Sequence, residues 1–145
     1  MKVIIVSGFF NPLHGGHLDM IEAASEMGDK LIVIVNNDRQ QVMKKDKIIL
    51  NEQNRARLMA ALRAVDEVVV AIDEDSTVVR TLEMLADKYS NDKLLFANGG
   101  DRDSEKEIPE ALICHERNIK LLFGVGGINK TDSSTRINQA MGHQK

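Results

Sequence analysis

The sequence is poor in cysteine and in aromatic residues. Its 145 residues include one cysteine, one tyrosine, four phenylalanines and no tryptophan. A single cysteine excludes an internal disulfide, and Cys114, within ALICHERN, is expected to be a small buried residue on a helix. Because the chain has neither a basic block nor an aromatic platform, we do not expect nucleic acid to be its partner.

Long apolar segments are also missing. No run is long enough to cross a membrane, and the N-terminal residues pass directly into a core strand instead of forming a charged and then apolar leader. The formal charge is −3, with both signs mixed along the chain. We therefore expect a soluble cytoplasmic protein without a membrane partner, folded as one domain over residues 1–145.

Five apolar runs alternate with amphipathic segments of helical length. The runs are Val3–Val6, Leu31–Val35, Val68–Ile72, Leu94–Ala97 and Ile119–Phe123. The predicted helices are Gly16–Met27, Asn51–Ala64, Thr77–Tyr89, Glu107–Arg117 and Ser133–Met141. This alternation predicts an α/β fold, a Rossmann-like three-layer α/β/α arrangement around a five-stranded parallel sheet. Gly28 is expected to end the first helix in the left-handed conformation.

The first strand leads into the segment His14-Gly15-Gly16-His17, where the first helix begins. A strand, a glycine turn and a helix start in this order predict an anion site, because unpaired N–H groups and the helix dipole favour phosphate. The two histidines would add directional donors. The plain alternatives are a helix cap or solvent-exposed side chains, and a zinc site lacks further ligands at the usual spacing.

Three segments that follow predicted strands are read as unusual loops: Asn36–Leu50, Asn98–Lys106 and Gly124–Asp132. Cations of the first loop lie near the strand ends, although such clusters are often only solvated surface. They are Arg39, Lys44, Lys45 and Lys47. Asn51 is a plausible helix N-cap, and Arg55 lies one turn further on, facing the strand ends. The second loop contains Gly99-Gly100-Asp101, and the third leads to a helix start at Ser133-Ser134-Thr135.

Two common phosphate motifs are absent. No GxxxxGK[ST] segment follows a strand, and GVGG comes late and lacks the GxGxxG spacing. Phosphate must be bound in another way.

Taken together, these segments resemble the HxGH nucleotidyltransferase superfamily. The resemblance covers nearly the whole chain, from Gly8–His17 to the segment Asp132–Ile137. NEQNRARLMAALRAVDEVVV is similar to the Arg-containing helix and strand of glycerol-3-phosphate cytidylyltransferases and of the adenylyltransferase domain of ADP-heptose synthases. LLFANGGD resembles the Gly-Gly-Asp segment of the ADP-heptose synthases. Phe9, Phe10 and Asn11 stand where the family often has Thr or Cys, Phe and Asp, and Asn11 provides no carboxylate at that position.

The resemblance implies catalytic roles for His14 and His17 at the triphosphate and for Lys44 or Lys45 as the phosphate-binding loop lysine. It implies a second, nucleotide-binding group: Gly8, Phe9, Phe10, Gly16, Arg55, Gly100, Asp101, Lys130, Ser133, Ser134 and Thr135. Lys130 stands in the place of a cytidylyltransferase arginine.

The implied reaction transfers CMP or AMP from CTP or ATP to a phosphorylated sugar or polyol and releases pyrophosphate. The implied cofactor is Mg²⁺, held mainly by the nucleotide phosphates rather than by protein ligands. A pantetheine-phosphate adenylyltransferase-like enzyme, with a similar NPLHGGHLDMIEAA segment, and a non-catalytic nucleotide-binding module are the alternatives. A homodimer is also possible, since dimers are common in the resembled families.

Overall fold

Strands and helices alternate along the chain. The computed structural model describes residues 1–10, 15–45, 50–99 and 108–125, with the backbone alone for residues 44, 45 and 99. The strands within these ranges are β1 (Lys2–Gly8), β2 (Lys30–Val35), β3 (Glu67–Val70), β4 (Lys93–Gly99) and β5 (Lys120–Val125). The helices are α1 (Gly15–Ser25), α2 (Asp38–Lys45), α3 (Glu52–Ala60), α4 (Val79–Lys88) and α5 (Ala111–Glu116).

The five strands form one sheet in the order β3-β2-β1-β4-β5, and every neighbouring pair is parallel. Ile5 in the central strand pairs with Ile32 on one side and Phe96 on the other. This confirms the predicted α/β architecture. The strand order reverses at β1, and the carboxyl ends of all five strands share one edge, called here the carboxyl edge; the opposite edge is the amino edge. Ligands of open parallel sheets bind at the carboxyl edge, near such a reversal.

Alternate residues of each central strand enter different cores, which explains why these strands are apolar throughout. Ile4 and Val33 pack with Ile21 of α1 and Met59 of α3 on one face of the sheet. Residues one position along the same strands pack with α4 and α5 on the other face. The sheet is therefore covered on both sides, as the three-layer prediction requires.

The prediction of a loop over Asn36–Leu50 is wrong for its first half, where α2 forms. Its sequence, DRQQVMKK, has few apolar residues, so no helical stripe marks it. The four predicted helices within the described ranges are all shorter than predicted, most of all α3, which ends at Ala60, and α5, which begins at Ala111. The helix predicted over Ser133–Met141 lies outside the described residues.

Gly28 does not have the predicted left-handed conformation. Helix α1 ends at Ser25, and among the described glycines only Gly124 has a positive φ, of 68°. The need for glycine at position 28 is steric. A Cβ atom at this position would lie 2.8 Å from the carbonyl oxygen of Lys2 and 2.8 Å from Ile4 Cγ1. Glycine therefore allows the chain to pass close to β1.

Cys114 lies on α5 and is completely buried, as predicted. Burial, with a smaller contribution from the Glu110 carboxylate, raises the pKa of its thiol to about 12. The side chain is therefore a packing residue. In the described parts of the chain, no helix is long and apolar enough to cross a bilayer.

Candidate functional site

The carboxyl end of β1 is shaped by a close contact between Gly8 and Phe10. Phe10 has a left-handed backbone conformation, with φ of 52°, and only 2% of the residue is exposed. A Cβ atom on Gly8 would lie 2.8 Å from Phe10 Cζ, so glycine leaves room for the ring. A bulky residue with positive φ is uncommon and is found where surrounding structure enforces it.

The Phe10 ring lies against His17. The two ring centroids are 4.9 Å apart and the ring planes meet at 75°, an edge-to-face arrangement. His17 is the third residue of α1 and is half-buried. Gly8 and Phe10 thus hold the imidazole at the start of α1, next to the carboxyl end of β1.

Helix α1 begins at Gly15, so Gly15, Gly16 and His17 form its first turn. The helix dipole places partial positive charge at this first turn. No acidic residue lies in this turn. The described residues therefore combine backbone donors and an imidazole at one point, an arrangement suited to phosphate oxygens.

Helix α2 begins with a reciprocal capping arrangement. Asn37 Oδ1 accepts from the Gln40 backbone N–H at 2.9 Å, and Gln40 Oε1 accepts from the Asn37 N–H at 2.9 Å. This is the capping box, with Asn in the N-cap position and Gln three residues later. The sequence Asn37-Asp38-Arg39-Gln40 carries that signal, which our sequence reasoning missed.

The same two side chains connect α2 to the segment that follows β3. Gln40 Nε2 donates to the carbonyl oxygens of Asp75 and Thr77, both at 2.7 Å. Asn37 Nδ2 donates to the carbonyl oxygens of Ala71 and Asp73, both at 3.0 Å. Gln40 is fully buried. The position of α2 is therefore tied to the carboxyl end of β3 as well as to β2.

Arg55 lies at the predicted edge of the sheet, but its side chain is fully buried and is used within the protein. Its guanidinium donates to protein oxygens from three different nitrogens. The acceptors are the carbonyl oxygens of Leu50 (2.8 Å), Phe9 (2.8 Å) and Asn36 (2.7 Å) and Asp38 Oδ1 (2.8 Å). A nucleotide contact by Arg55 stays a prediction, whereas the observed contacts connect α3 to the chain after β1 and to the start of α2.

Asn51 is the N-cap of α3, as predicted. Its side chain accepts from the Asn54 N–H at 2.8 Å, and its backbone is extended, with φ of −70° and ψ of 167°. The N-cap residue is also bonded directly to Arg55, because the Arg55 backbone N–H donates to the Asn51 carbonyl oxygen at 3.0 Å. The cap fixes the turn from which the Arg55 side chain extends.

The carboxyl ends of β4 and β5 contain an irregularity. Ala97 pairs with Leu122 and Gly99 pairs with Val125, so β5 has one extra residue across this step. Gly124, with its positive φ, lies in the extra stretch. Such bulges turn the strand ends in a new direction and are common beside active sites. This bulge leads into the predicted segments Gly100–Asp101 and Gly124–Asp132.

The structure brings together six of the predicted site residues at the carboxyl ends of β1 and β2: Gly8, Phe9, Phe10, Gly16, His17 and Arg55. Lys44 and Lys45 are the last two residues of α2, and only their backbone is described. The other predicted residues lie outside the described ranges: Asn11, His14, Gly100, Asp101, Lys130, Ser133, Ser134 and Thr135.

Comparison with known proteins identifies the family of the chain. The cytidylyltransferase-like family model matches residues 5–140. Bifunctional protein HldE of Koribacter versatilis is 39% identical over 71 residues, which is 48% of this chain and 15% of that protein. FAD synthase of Ferroglobus placidus is 39% identical over 75 residues, which is 52% of this chain and 49% of that protein. The chain thus covers half or less of these relatives.

A solved structure shows the same fold. The lipopolysaccharide core biosynthesis protein of Thermoplasma volcanium aligns with a TM-score of 0.66 and 22% identity, covering 91% of this chain and 99% of that one. The family match extends over most of the sequence, and the alignment with the solved structure covers nearly all of both chains. The chain therefore belongs to the cytidylyltransferase-like family of nucleotidyltransferases.

Proposed function

We propose that the chain is an enzyme that transfers CMP or AMP from CTP or ATP to a small phosphorylated acceptor and releases pyrophosphate. The observation that carries the proposal is the His17 ring, which Phe10 holds in the first turn of α1 at the carboxyl edge. A phosphorylated sugar or polyol is the proposed acceptor. FAD consists of FMN joined to AMP, so the similarity to an FAD synthase adds FMN as a second acceptor to test.

The chemistry requires placement and charge stabilisation rather than a strong base. An oxygen of the acceptor phosphate attacks the α-phosphorus, the bond to the bridging oxygen breaks, and pyrophosphate leaves with that electron pair. A phosphate monoester is already nucleophilic near neutral pH, so no side chain needs to deprotonate it. His17 and the first-turn N–H groups would stabilise the negative charge on the phosphoryl oxygens as it shifts toward the leaving group.

Mg²⁺ belongs to the proposal as an ion coordinated by the triphosphate. The donors described at the start of α1 are N–H groups and an imidazole, which suit phosphate oxygens, whereas Mg²⁺ prefers oxygen ligands. No group of three or more His, Cys, Asp or Glu side chains converges on one point in the described ranges. The triphosphate would therefore supply most oxygen ligands, and the ion would neutralise phosphate charge when bound.

The test is pyrophosphate release by the purified chain. CTP and ATP are each combined with sugar phosphates, polyol phosphates, FMN and phosphopantetheine in the presence of Mg²⁺. At least one combination should release pyrophosphate, and His17→Ala should lower kcat/KM by about 100-fold or more, the usual cost of losing a charge-stabilising donor.

His115 provides the matched control, because it is exposed on α5, beside the groove at the amino ends of β4 and β5. His115→Ala should keep kcat/KM within about twofold of the wild type, since surface changes away from a site cost little. If no combination releases pyrophosphate from folded protein, or if His17→Ala keeps full activity, the proposal is wrong.

A further inference from the structure

Arg55 connects segments that are far apart in sequence. Its guanidinium binds the chain just after β1 through the Phe9 carbonyl and just after β2 through the Asn36 carbonyl. It also binds the first residue of α2, Asp38, and the residue before the cap of α3, Leu50. Four of the five guanidinium N–H groups are used by these contacts. Arg55 thus bonds the start of α2 to the carboxyl ends of β1 and β2.

The start of α2 is held from two sides. On the α3 side, the Asp38 carboxylate accepts a hydrogen bond from Arg55, and the Asp38 backbone N–H donates to Glu52 Oε1 at 2.8 Å. On the β3 side, the Asn37 and Gln40 amides hold the chain after β3, as described above. These bonds all fall within the first turn of α2 or the residue before it. They set the direction in which the helix leaves the sheet.

The direction of α2 decides where its last residues lie. Eight residues make a helix about 12 Å long, so a tilt of about 10° at the first turn moves the far end by about 2 Å. Lys44 and Lys45 are at that far end. In a phosphoryl-transfer site, a displacement of about 1 Å can reduce the rate by about 100-fold. The contacts at the first turn therefore bear on the position of both lysines.

We infer that Arg55 is a positioning residue that acts through α2, setting where Lys44 and Lys45 meet the triphosphate, and is not itself a nucleotide ligand. This inference rests on the proposed function. An apolar side chain could fill the same volume, but replacement of Arg55 alone would leave the Asp38 carboxylate and three carbonyl oxygens without their donor. Only the guanidinium, with its planar set of N–H donors, fixes four oxygens in defined directions.

The test measures whether Arg55 and the lysines act as one unit. Arg55→Lys is made in the wild type and in the Lys44→Ala/Lys45→Ala background, and binding of CTP and ATP with Mg²⁺ is titrated. We expect Arg55→Lys to weaken binding about tenfold in the wild type but less than about twofold without the lysines, because residues acting through one another are not additive. Equal losses in both backgrounds would show direct nucleotide contact and overturn the inference.

A second variant and a control distinguish a specific loss of binding from a loss caused by misfolding. Asp38→Asn removes the charged partner on α2 while Arg55 keeps its carbonyl contacts, and it should reproduce the Arg55→Lys loss. Arg57→Lys changes an exposed arginine two residues further along α3 and should leave binding within about twofold of the wild type, as is usual for surface changes. Failure of Asp38→Asn to reproduce the loss would contradict the inference.

Hydrogen exchange separates this inference from the proposed function. The Gln41 N–H in α2 donates to the Asn37 carbonyl at 3.0 Å, so its exchange reports on opening of this helix. Arg55→Lys and Asp38→Asn should both speed its exchange, and Arg57→Lys should not, whether or not nucleotide binds. Unchanged exchange in both variants would overturn the inference. A wild type that binds no triphosphate would overturn the proposed function, and faster exchange in both variants would then still show that Arg55 positions α2.

Discussion

The two edges of the sheet are stabilised in different ways. At the amino edge, an aspartate before a strand binds the start of the neighbouring strand. Asp29 Oδ2 accepts from the Lys2 N–H at 2.7 Å, and Asp66 Oδ2 accepts from the Leu31 N–H at 2.8 Å. Asp92 receives the N-terminal ammonium at 3.0 Å. Each of these links joins two segments, so the loss of one leaves the others in place.

At the carboxyl edge, single buried side chains join several segments at once. Arg55 donates to four oxygens from three segments, and Gln40 connects the start of α2 to two carbonyl oxygens after β3. Such shared links hold loops in a defined arrangement, which suits a site that must place reacting groups. The comparison implies that one substitution at the carboxyl edge disturbs more structure than one at the amino edge.

The largest expected difference between the two edges is in the free energy of unfolding that is lost when a charged cluster is broken. Arg55→Met leaves three carbonyl oxygens and the Asp38 carboxylate without their donor, and should lower the free energy of unfolding by about 3 kcal/mol. At the amino edge, Glu67 contacts Lys30, Lys88 and Tyr89 in a partly exposed cluster. Glu67→Gln should cost about 1 kcal/mol. Urea denaturation measures both, and equal costs would contradict the comparison.

The next comparison is between alanine substitutions of one glycine at each edge, which should cost similar stability but differ in their effect on activity. In both Gly8 and Gly28 an added Cβ would lie 2.8 Å from a neighbouring atom, so alanine at either position should cost about 1–3 kcal/mol. Gly8→Ala pushes the Phe10 ring against His17, whereas Gly28→Ala acts at the amino edge. Pyrophosphate release at a temperature where both variants are folded should fall only in Gly8→Ala. A similar fall in both would show that the rate follows stability alone.

The smallest expected effect is the pH dependence of the amino-edge cluster. Burial alone would raise the pKa of Glu67, but hydrogen bonds from Tyr89, Lys88 and Lys30 outweigh it and lower this pKa to about 2. Because the pKa is lower in the folded than in the unfolded state, Glu67 stabilises the fold above its usual value and loses that contribution between about pH 4.5 and pH 2.

The wild type should therefore lose up to about 1 kcal/mol more than Glu67→Gln across that interval, after allowance for partial solvent screening. Urea denaturation at a series of pH values measures the difference. Parallel curves for the two proteins would mean that Glu67 does not carry this stabilisation.

The sheet was predictable from sequence and α2 was not, for physical reasons. Strands buried on both faces need apolar residues at every position, so β1 and β2 appear as continuous runs such as Val3–Val6. Helix α2 lies over the carboxyl edge and is polar, so its sequence lacks an apolar stripe. The capping pair Asn37 and Gln40 was its only clear signal.

The role of Arg55 also depended on tertiary structure. Sequence placed it one turn into a helix that faces the strand ends, and the structure confirms that location. The direction of the guanidinium depends on carbonyl oxygens from residues 9, 36 and 50, which sequence proximity does not reveal. The predicted roles of His14, Gly100, Asp101, Lys130 and Ser133–Thr135 stay predictions.

The central claim is that nucleotide binds at the carboxyl edge, and amide chemical shifts of the isotope-labelled chain test it most directly. On addition of CTP or ATP with Mg²⁺, the account predicts the largest shifts at the amides of Gly8, Gly16, His17 and Asn36. Amides at the amino edge, such as those of Lys2 and Leu31, should change little. Largest shifts in the groove lined by Tyr89, His115 and Lys120 would contradict the account.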